Sequence, residues 1–259
     1  MYAWETMDTR FWGPSAWQLL HLVAHSQQGD PEPYELFFNS VKQVLPCKFC
    51  RQSTTEFMET ELPLHPRVKD TAHWLYDLHN RVNKKLRDQS KTDPQVRDPG
   101  PDPTFGVVRD HYTRLLRYSP DQVKVVPGAD FLSALAVNYP EKPTSDLVED
   151  HSVFWTYLRA VFPFSHLRVR MNRYMEAHPL YDALQSRAAY KKWVYALLKT
   201  MCKTSRSYRG MCQHVGYYKS ACHSKSYRGK TCRRTKTGQY MKHRDHARTY
   251  RVTHNRLLT

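Results

Sequence analysis

"VKDTAHWLYDLHNRVNKKL", residues 68–86, is the stretch on which the fold turns. Leu75, Leu78, Val82 and Leu86 recur at three- and four-residue spacing, which marks one apolar stripe on a helix. Beside the stripe stand His79, Asn80, Asn83 and Lys85. Asn is a poor helix-interior residue because its short amide competes with the backbone for hydrogen bonds. Two asparagines and a histidine at i, i+1 and i+4 therefore point to polar groups turned toward something with donors and acceptors. A solvated polar face is the plainer alternative. It loses ground because Trp12, Trp17, His21 and Trp74 supply further aromatic and imidazole groups.

On the N-terminal side, "WGPSAWQLLHLVAHS" (12–26) reads as a first helix, with Gly13 breaking the preceding chain and Pro14 at a first helical position. Trp17, Leu20, His21 and Ala24 share one face. "YELFFNSVKQVL" (34–45) repeats the apolar spacing as a second helix. Pro46 interrupts it, and a third helix runs from Cys47 to about Glu61, ended by Pro63 and Pro66. The 68–86 stretch is then the fourth.

The proline-punctuated run "DQSKTDPQVRDPGPDPTFG" (88–106) reads as a loop, and "VVRDHYTRLLRY" (107–118) as a short fifth helix. From Ser119 a second helical region is expected, with "ADFLSALAVNY" (129–139), "DHSVFWTYLRAVF" (150–162) and a longer helix "YDALQSRAAYKKWVYALLKTM" (181–201). Strand-like alternation is scarce. The sequence predicts an all-α protein with three segments: residues 1–118, a second, smaller helical domain at 119–201, and a basic tail at 202–259.

The formal charge is +16, unevenly placed. Residues 202–259 carry fifteen Lys and Arg against the single acid Asp245, and the rest is close to neutral. Interleaved tyrosines in that tail suit a polyanion such as nucleic acid, by phosphate pairing and base stacking. A solvated extension is the alternative. No apolar run approaches the ~18 residues of a membrane span, and "MYAWETMDTR" has no apolar leader. A soluble protein made in the cytosol is the expectation.

Cys47 and Cys50 form a CxxC behind Pro46; Cys202, Cys212, Cys222 and Cys232 follow far downstream. At a helix start, orphaned N–H groups and the helix dipole favour a thiolate, which suits disulfide exchange. Zinc needs two more ligands, and an inert buried pair is the third reading. The four tail cysteines fit a mobile electron shuttle, a zinc site with nearby histidines, structural staples or plain thiols, and spacing does not choose among them.

"WGPSAWQLLH", "PCKFC" and "HNRVNKKL", in that order, resemble the Erv/ALR family of FAD-linked sulfhydryl oxidases, whose pattern is W-G-x-x-x-W-x-x-L-H, C-x-x-C and H-N-x-V-N-x-K/R-L. "FLSALAVNYP" and "HPLYDALQSRAAYKKWV" are similar to the second helical domain of such oxidases from large cytoplasmic DNA viruses. The resemblance implies an FAD-binding four-helix bundle with a short capping fifth helix. Trp12, Gly13, Trp17 and His21 would line the cofactor from the first helix. His79, Asn80, Val82, Asn83, Lys85 and Leu86 would surround its adenosine and phosphate portions, with Trp74 as a further wall. Lys85, rather than Lys84, would offer charge to the diphosphate.

Under the same resemblance Cys47 is the outer cysteine attacked by a substrate dithiol, Cys50 lies against the flavin, and oxygen takes the electrons as hydrogen peroxide. A homodimer through the first two helices, and a place in the host cytoplasm or virion, are also implied. The family's turn after the fourth-helix motif is missing here, which leaves the far wall of the pocket to Phe105 or Tyr112. The competing reading is a non-catalytic viral structural protein that binds zinc or nucleic acid.

Overall fold

Asp8 begins the first helix. Its carboxylate accepts the N–H of Arg10 at 2.9 Å and pairs with the Arg10 guanidinium, so α1 spans Thr9–His25. This computed structural model describes residues 6–64, 70–203 and 206–220. The helix starts earlier than the Gly13–Pro14 reading placed it, and Pro14 lies inside it. An N-cap and the burial of Phe11 and Trp12 extend the helix backward past the proline.

After α2 (Glu32–Val44) comes α3 (Lys48–Glu56), which runs into a π-helical turn at Phe57–Glu61. Asp70 accepts the His73 N–H at 2.9 Å and starts α4, Thr71–Ser90. The fifth helix, α5, is Phe105–Leu116. It lies against both α1 and α4, which also touch each other.

Ala129–Asn138, α6, is buried continuously from Phe131 to Asn138, as expected of a helix enclosed on all sides. It starts at Gly128 (φ +81°), where an added Cβ would meet the Leu19 side chain at 2.7 Å. Here glycine is required twice, by the left-handed backbone and by the approach of α1. The Phe131 N–H donates to Ser15 Oγ at 3.3 Å, and Phe131 packs on Trp12 at 5.9 Å.

Three more features follow: α7 (Ser145–Val161), α8 (Ser165–Ala177) and a short turn, α9 (Leu180–Ala183). The α8 segment is absent from the sequence reading. The expected long helix over 181–201 is broken: α10 is Arg187–Met201, and Ser186 caps it through the Ala189 N–H. A serine with a competent hydroxyl restarts the helix there. Trp155 Nε1 donates to the Tyr190 hydroxyl at 2.6 Å, and His151 Nδ1 lies 3.0 Å from it, tying α7 to α10.

Helices from both sides of residue 118 share one apolar core. Phe37 of α2 meets Phe154 of α7 at 5.8 Å, and α2 lies chiefly on α7. The beginning of the basic segment is folded too. Tyr208–Gly216 forms α11, Tyr218 stacks on Phe11 at 3.9 Å, and Lys219–Ser220 pairs antiparallel with Thr6–Met7. Apart from that two-residue ladder, the regular structure of the described residues is helical.

Candidate functional site

Cys47 is the N-cap of α3 and has extended backbone, with its Sγ accepting the Cys50 N–H at 3.2 Å. A helix start leaves its first N–H groups without intrahelical partners, and the sulfur satisfies one of them. Cys47 is fully buried. Cys50 packs on the apolar core yet keeps part of its surface exposed. Cys47, expected as the outer member of the pair, is thus the more covered of the two in this structure. The reason lies one residue earlier. The Pro46 carbonyl accepts the Met7 N–H at 2.9 Å and Asn138 Nδ2 at 3.4 Å, so the first strand and α6 close over this turn.

The cysteine helix is joined to α4 by a serine. Ser53 Oγ lies 3.3 Å from the Cys50 carbonyl, to which it donates, and accepts from Lys85 Nζ at 3.1 Å. Lys85 is only 7% exposed, whereas Lys84 faces solvent. A lysine is seldom buried without anionic or hydrogen-bonding company.

Between α1, α4 and α5 lies a nest of flat rings. Trp17 stacks on His79 at 3.8 Å with planes 6° apart, and His21 stacks on Tyr112 at 4.8 Å. His21 Nε2 and His79 Nδ1 are 2.9 Å apart. Burial drives the His79 imidazole down to about 3, against an opposing pull from Asp102. Burial also sends His21 well below its usual range, helped by the neighbouring His79 and His25. Both are neutral rings at physiological pH.

Asn83, one turn beyond His79 and 2% exposed, donates through Nδ2 to Asp102 Oδ1 at 2.8 Å. Arg87 holds the same carboxylate with contacts of 2.7 and 3.1 Å. Burial pushes the Asp102 carboxyl up, but the bonds from Arg87 and Asn83 outweigh it and keep the group below its ordinary range.

His21, His79, Asn83 and Lys85 are thus buried on α1 and α4, and Trp17 is half-buried beside them. The other residues named from the sequence are placed differently. Trp12 turns to Phe131 and donates to the Met7 carbonyl at 3.3 Å. Trp74 packs on Phe38 and donates to the Leu62 carbonyl at 3.0 Å. Asn80, Val82, Leu86 and Gly13 are half-buried, and nothing lies within 4 Å of a Cβ added at Gly13. Ser53, His25, Arg87 and Asp102 were not singled out from the sequence. Asp102 lies in the proline-rich loop, and only a fold that returns this loop to α4 reveals it. Tyr112 was one of the two candidates for the far wall, and it does meet His21; Phe105 meets His25 at 6.4 Å.

These groups fit FAD. Neutral imidazoles and an indole offer stacking faces to a planar ring, and a buried lysine suits a diphosphate. Asn83 Oδ1 and His25 Nε2 are buried without hydrogen-bond partners, a costly condition that a ligand's polar groups would relieve. The Trp17–His79 stack is closed on itself, so a ligand ring entering there takes the place of one partner.

The cysteines beyond the motif divide. Cys202 is buried against the Val123 carbonyl, and burial raises its thiol, which disfavours it as a nucleophile. Cys212 lies on α11; Cys222 and Cys232 fall outside the described residues. Among the described residues no three His, Cys, Asp or Glu gather as a metal site.

The Erv1/Alr family model matches residues 14–99. Three relatives are similar over this part of the chain. One is the mitochondrial FAD-linked sulfhydryl oxidase ERV1 of Saccharomyces cerevisiae, 31% identical over 85 residues, which are 31% of this chain and 45% of the yeast protein. The FAD-linked sulfhydryl oxidase of African swine fever virus is 35% identical over 82 residues, 29% of this chain and 67% of the viral one. A probable FAD-linked sulfhydryl oxidase of Acanthamoeba polyphaga mimivirus is 31% identical over 99 residues, 35% of this chain and 68% of its own. The chain spans less than half of the yeast relative and about two thirds of the viral ones. No solved structure matches it.

Proposed function

Because the chain belongs to the Erv1/Alr family, we propose that it is an FAD-dependent thiol oxidase that forms disulfides in protein substrates. The observation that carries this reading is the join between the two motifs. The CxxC helix and the HNxVN helix meet through Ser53 and Lys85, so the dithiol and the groups suited to FAD belong to one site. Cys47 and Cys50 are the redox pair. Trp17, His21, His79, Asn83 and Lys85 hold the cofactor, with Trp12, Gly13, Trp74, Asn80, Val82 and Leu86 on the same two helices.

In exchange, a substrate thiolate attacks the Cys47–Cys50 disulfide. A bond forms between the substrate sulfur and one cysteine, and the other cysteine leaves as a thiolate. A second substrate thiolate displaces the first cysteine, which leaves an oxidised substrate and a reduced pair. Exchange at Cys47 requires the Pro46 turn to loosen its bonds to Met7 and Asn138; exchange at Cys50 does not. The Cys50 N–H on Cys47 Sγ stabilises the leaving thiolate. FAD supplies two-electron chemistry between the dithiol and oxygen, which becomes hydrogen peroxide. Neutral His21 and His79 present uncharged faces to it, and Lys85 a positive charge.

The homodimer implied by the resemblance meets an obstacle. Leu19, Leu22, Val23, Phe37 and Phe38, in the apolar stretches of α1 and α2, are buried within this chain, and α6 and α7 cover those helices. The second helical region takes that surface for itself. Among the described residues no helix is long and apolar enough to cross a membrane, and a site of action in host cytoplasm or virion accords with the viral relatives. The zinc-binding structural alternative gains no support. Purified protein should be yellow with flavin absorbance and consume oxygen when given a dithiol. A colourless protein that takes up no added FAD would sink the proposal.

A further inference from the structure

We infer that Asp102 is a positioning residue that fixes the Asn83 side chain, so that Asn83 Oδ1 selects a neutral hydrogen-bond donor on the adenosine half of FAD. The inference rests on the flavin reading above. A carboxylate only accepts hydrogen bonds. Asp102 is ionised and anchored on two sides by Arg87, so the edge of Asn83 that faces it must be the NH2 edge, at 2.8 Å. Oδ1 is thereby turned away from Asp102 and stands buried without a hydrogen-bond partner. Without Asp102 the amide could rotate by half a turn at little cost and present a donor instead. The carboxylate thus converts an ambivalent amide into an acceptor. A cluster that merely pinned the loop to α4 would have no preference for what the free edge of Asn83 meets.

Two groups of adenosine offer the matching donor: the exocyclic amine of the base and the ribose hydroxyls. A phosphate oxygen does not. A site with a dedicated acceptor rejects a ligand lacking the donor, because the acceptor is left buried and unsatisfied.

Calorimetric titration of the full-length, flavin-stripped protein tests this with three ligands: FAD, flavin purine dinucleotide (lacking the amine) and 2′,3′-dideoxy FAD (lacking the hydroxyls). In the unaltered protein one of the two analogues should bind about tenfold more weakly than FAD, and which one identifies the donor. In Asp102→Leu, of similar size, no acceptor faces residue 83 and its amide is free to turn over, so FAD weakens and the gap to that analogue narrows. Asp102→Ala, which frees the amide, should narrow the gap and serves if the first variant does not fold. Equal binding of all three ligands by the unaltered protein, or equal weakening of all three by either variant, overturns the inference and leaves the flavin reading standing. No FAD binding at all overturns both.

Discussion

Lys85 Nζ and Ser53 Oγ, 3.1 Å apart, join the fourth helix to the helix that begins at Cys47. The same hydroxyl contacts the Cys50 carbonyl, so a buried cation stands two hydrogen bonds from the backbone of the redox pair. Burying a lysine opposes folding, and a methionine of similar length removes that opposition. Lys85→Met should therefore leave the melting temperature of the flavin-free protein unchanged or higher. Its FAD dissociation constant should rise about tenfold to a hundredfold, the range for a lost hydrogen bond to a charged group. Thermal melts and flavin titration measure the two effects separately, and equal FAD affinity in the variant would remove Lys85 from the site.

The two cysteines differ in cover, and alkylation reads that difference. In the reduced, folded protein iodoacetamide should label Cys50 ahead of Cys47, because Cys47 is fully buried beneath the Pro46 turn. Mass spectrometry of timed samples gives the order. Asn138→Ala, which removes one bond to the Pro46 carbonyl, should speed labelling at Cys47. Cys50→Ala should retain flavin and lose turnover; oxidase activity surviving in it would refute the assigned role.

Burial holds five histidines, His21, His25, His79, His151 and His166, below their ordinary range. His79 and His151 are each held near 3 by burial, and His21 well below its ordinary 6.5 by burial and the neighbouring His79. The unfolded chain protonates these rings near 6.5 while the folded chain keeps them neutral, so their stability contribution is present above that pH and is lost as pH falls toward about 3. Each contributes about 1.4 kcal/mol per pH unit within the window. Urea midpoints between pH 7 and 5 should fall accordingly, and His151→Gln should flatten the slope. A slope unchanged by that substitution would count against a neutral buried His151.

At Gly128 the backbone is left-handed and Leu19 closes the space a Cβ would occupy. Gly128→Ala should destabilise the protein by about 2 kcal/mol or more, from backbone strain and crowding together. Chemical denaturation would show it; a loss under 0.5 kcal/mol, roughly that of a surface change, would mean that α6 and α1 separate readily.

Beyond Ser220 the chain carries eleven Lys and Arg against Asp245. A protein ending at Ser220 keeps α11 and the ladder to Thr6–Met7. It should retain flavin and oxidase activity while losing salt-dependent binding of single-stranded DNA. Equal DNA affinity in the two proteins would exclude a nucleic-acid role for that segment.

The family resemblance supplied the pairing of CxxC with HNxVN and the distinction between Lys85 and Lys84, while the sequence by itself determined the all-α class and the order of the first five helices. These are local properties, written in apolar spacing and in residues whose chemistry is intrinsic. It misplaced the start of α1, where a cap five residues before Gly13 outweighed the proline signal, and it merged α9 with α10, which Ser186 separates. Only the tertiary structure decided which face of α1 and α2 is covered, that Cys47 rather than Cys50 is buried, and that Asp102 returns to Asn83. Each of those depends on contacts between residues distant in the chain, such as Asn138 with Pro46 and Phe37 with Phe154. Periodicity shows that a face is apolar or polar, but what meets that face is settled only when the chain folds back upon it.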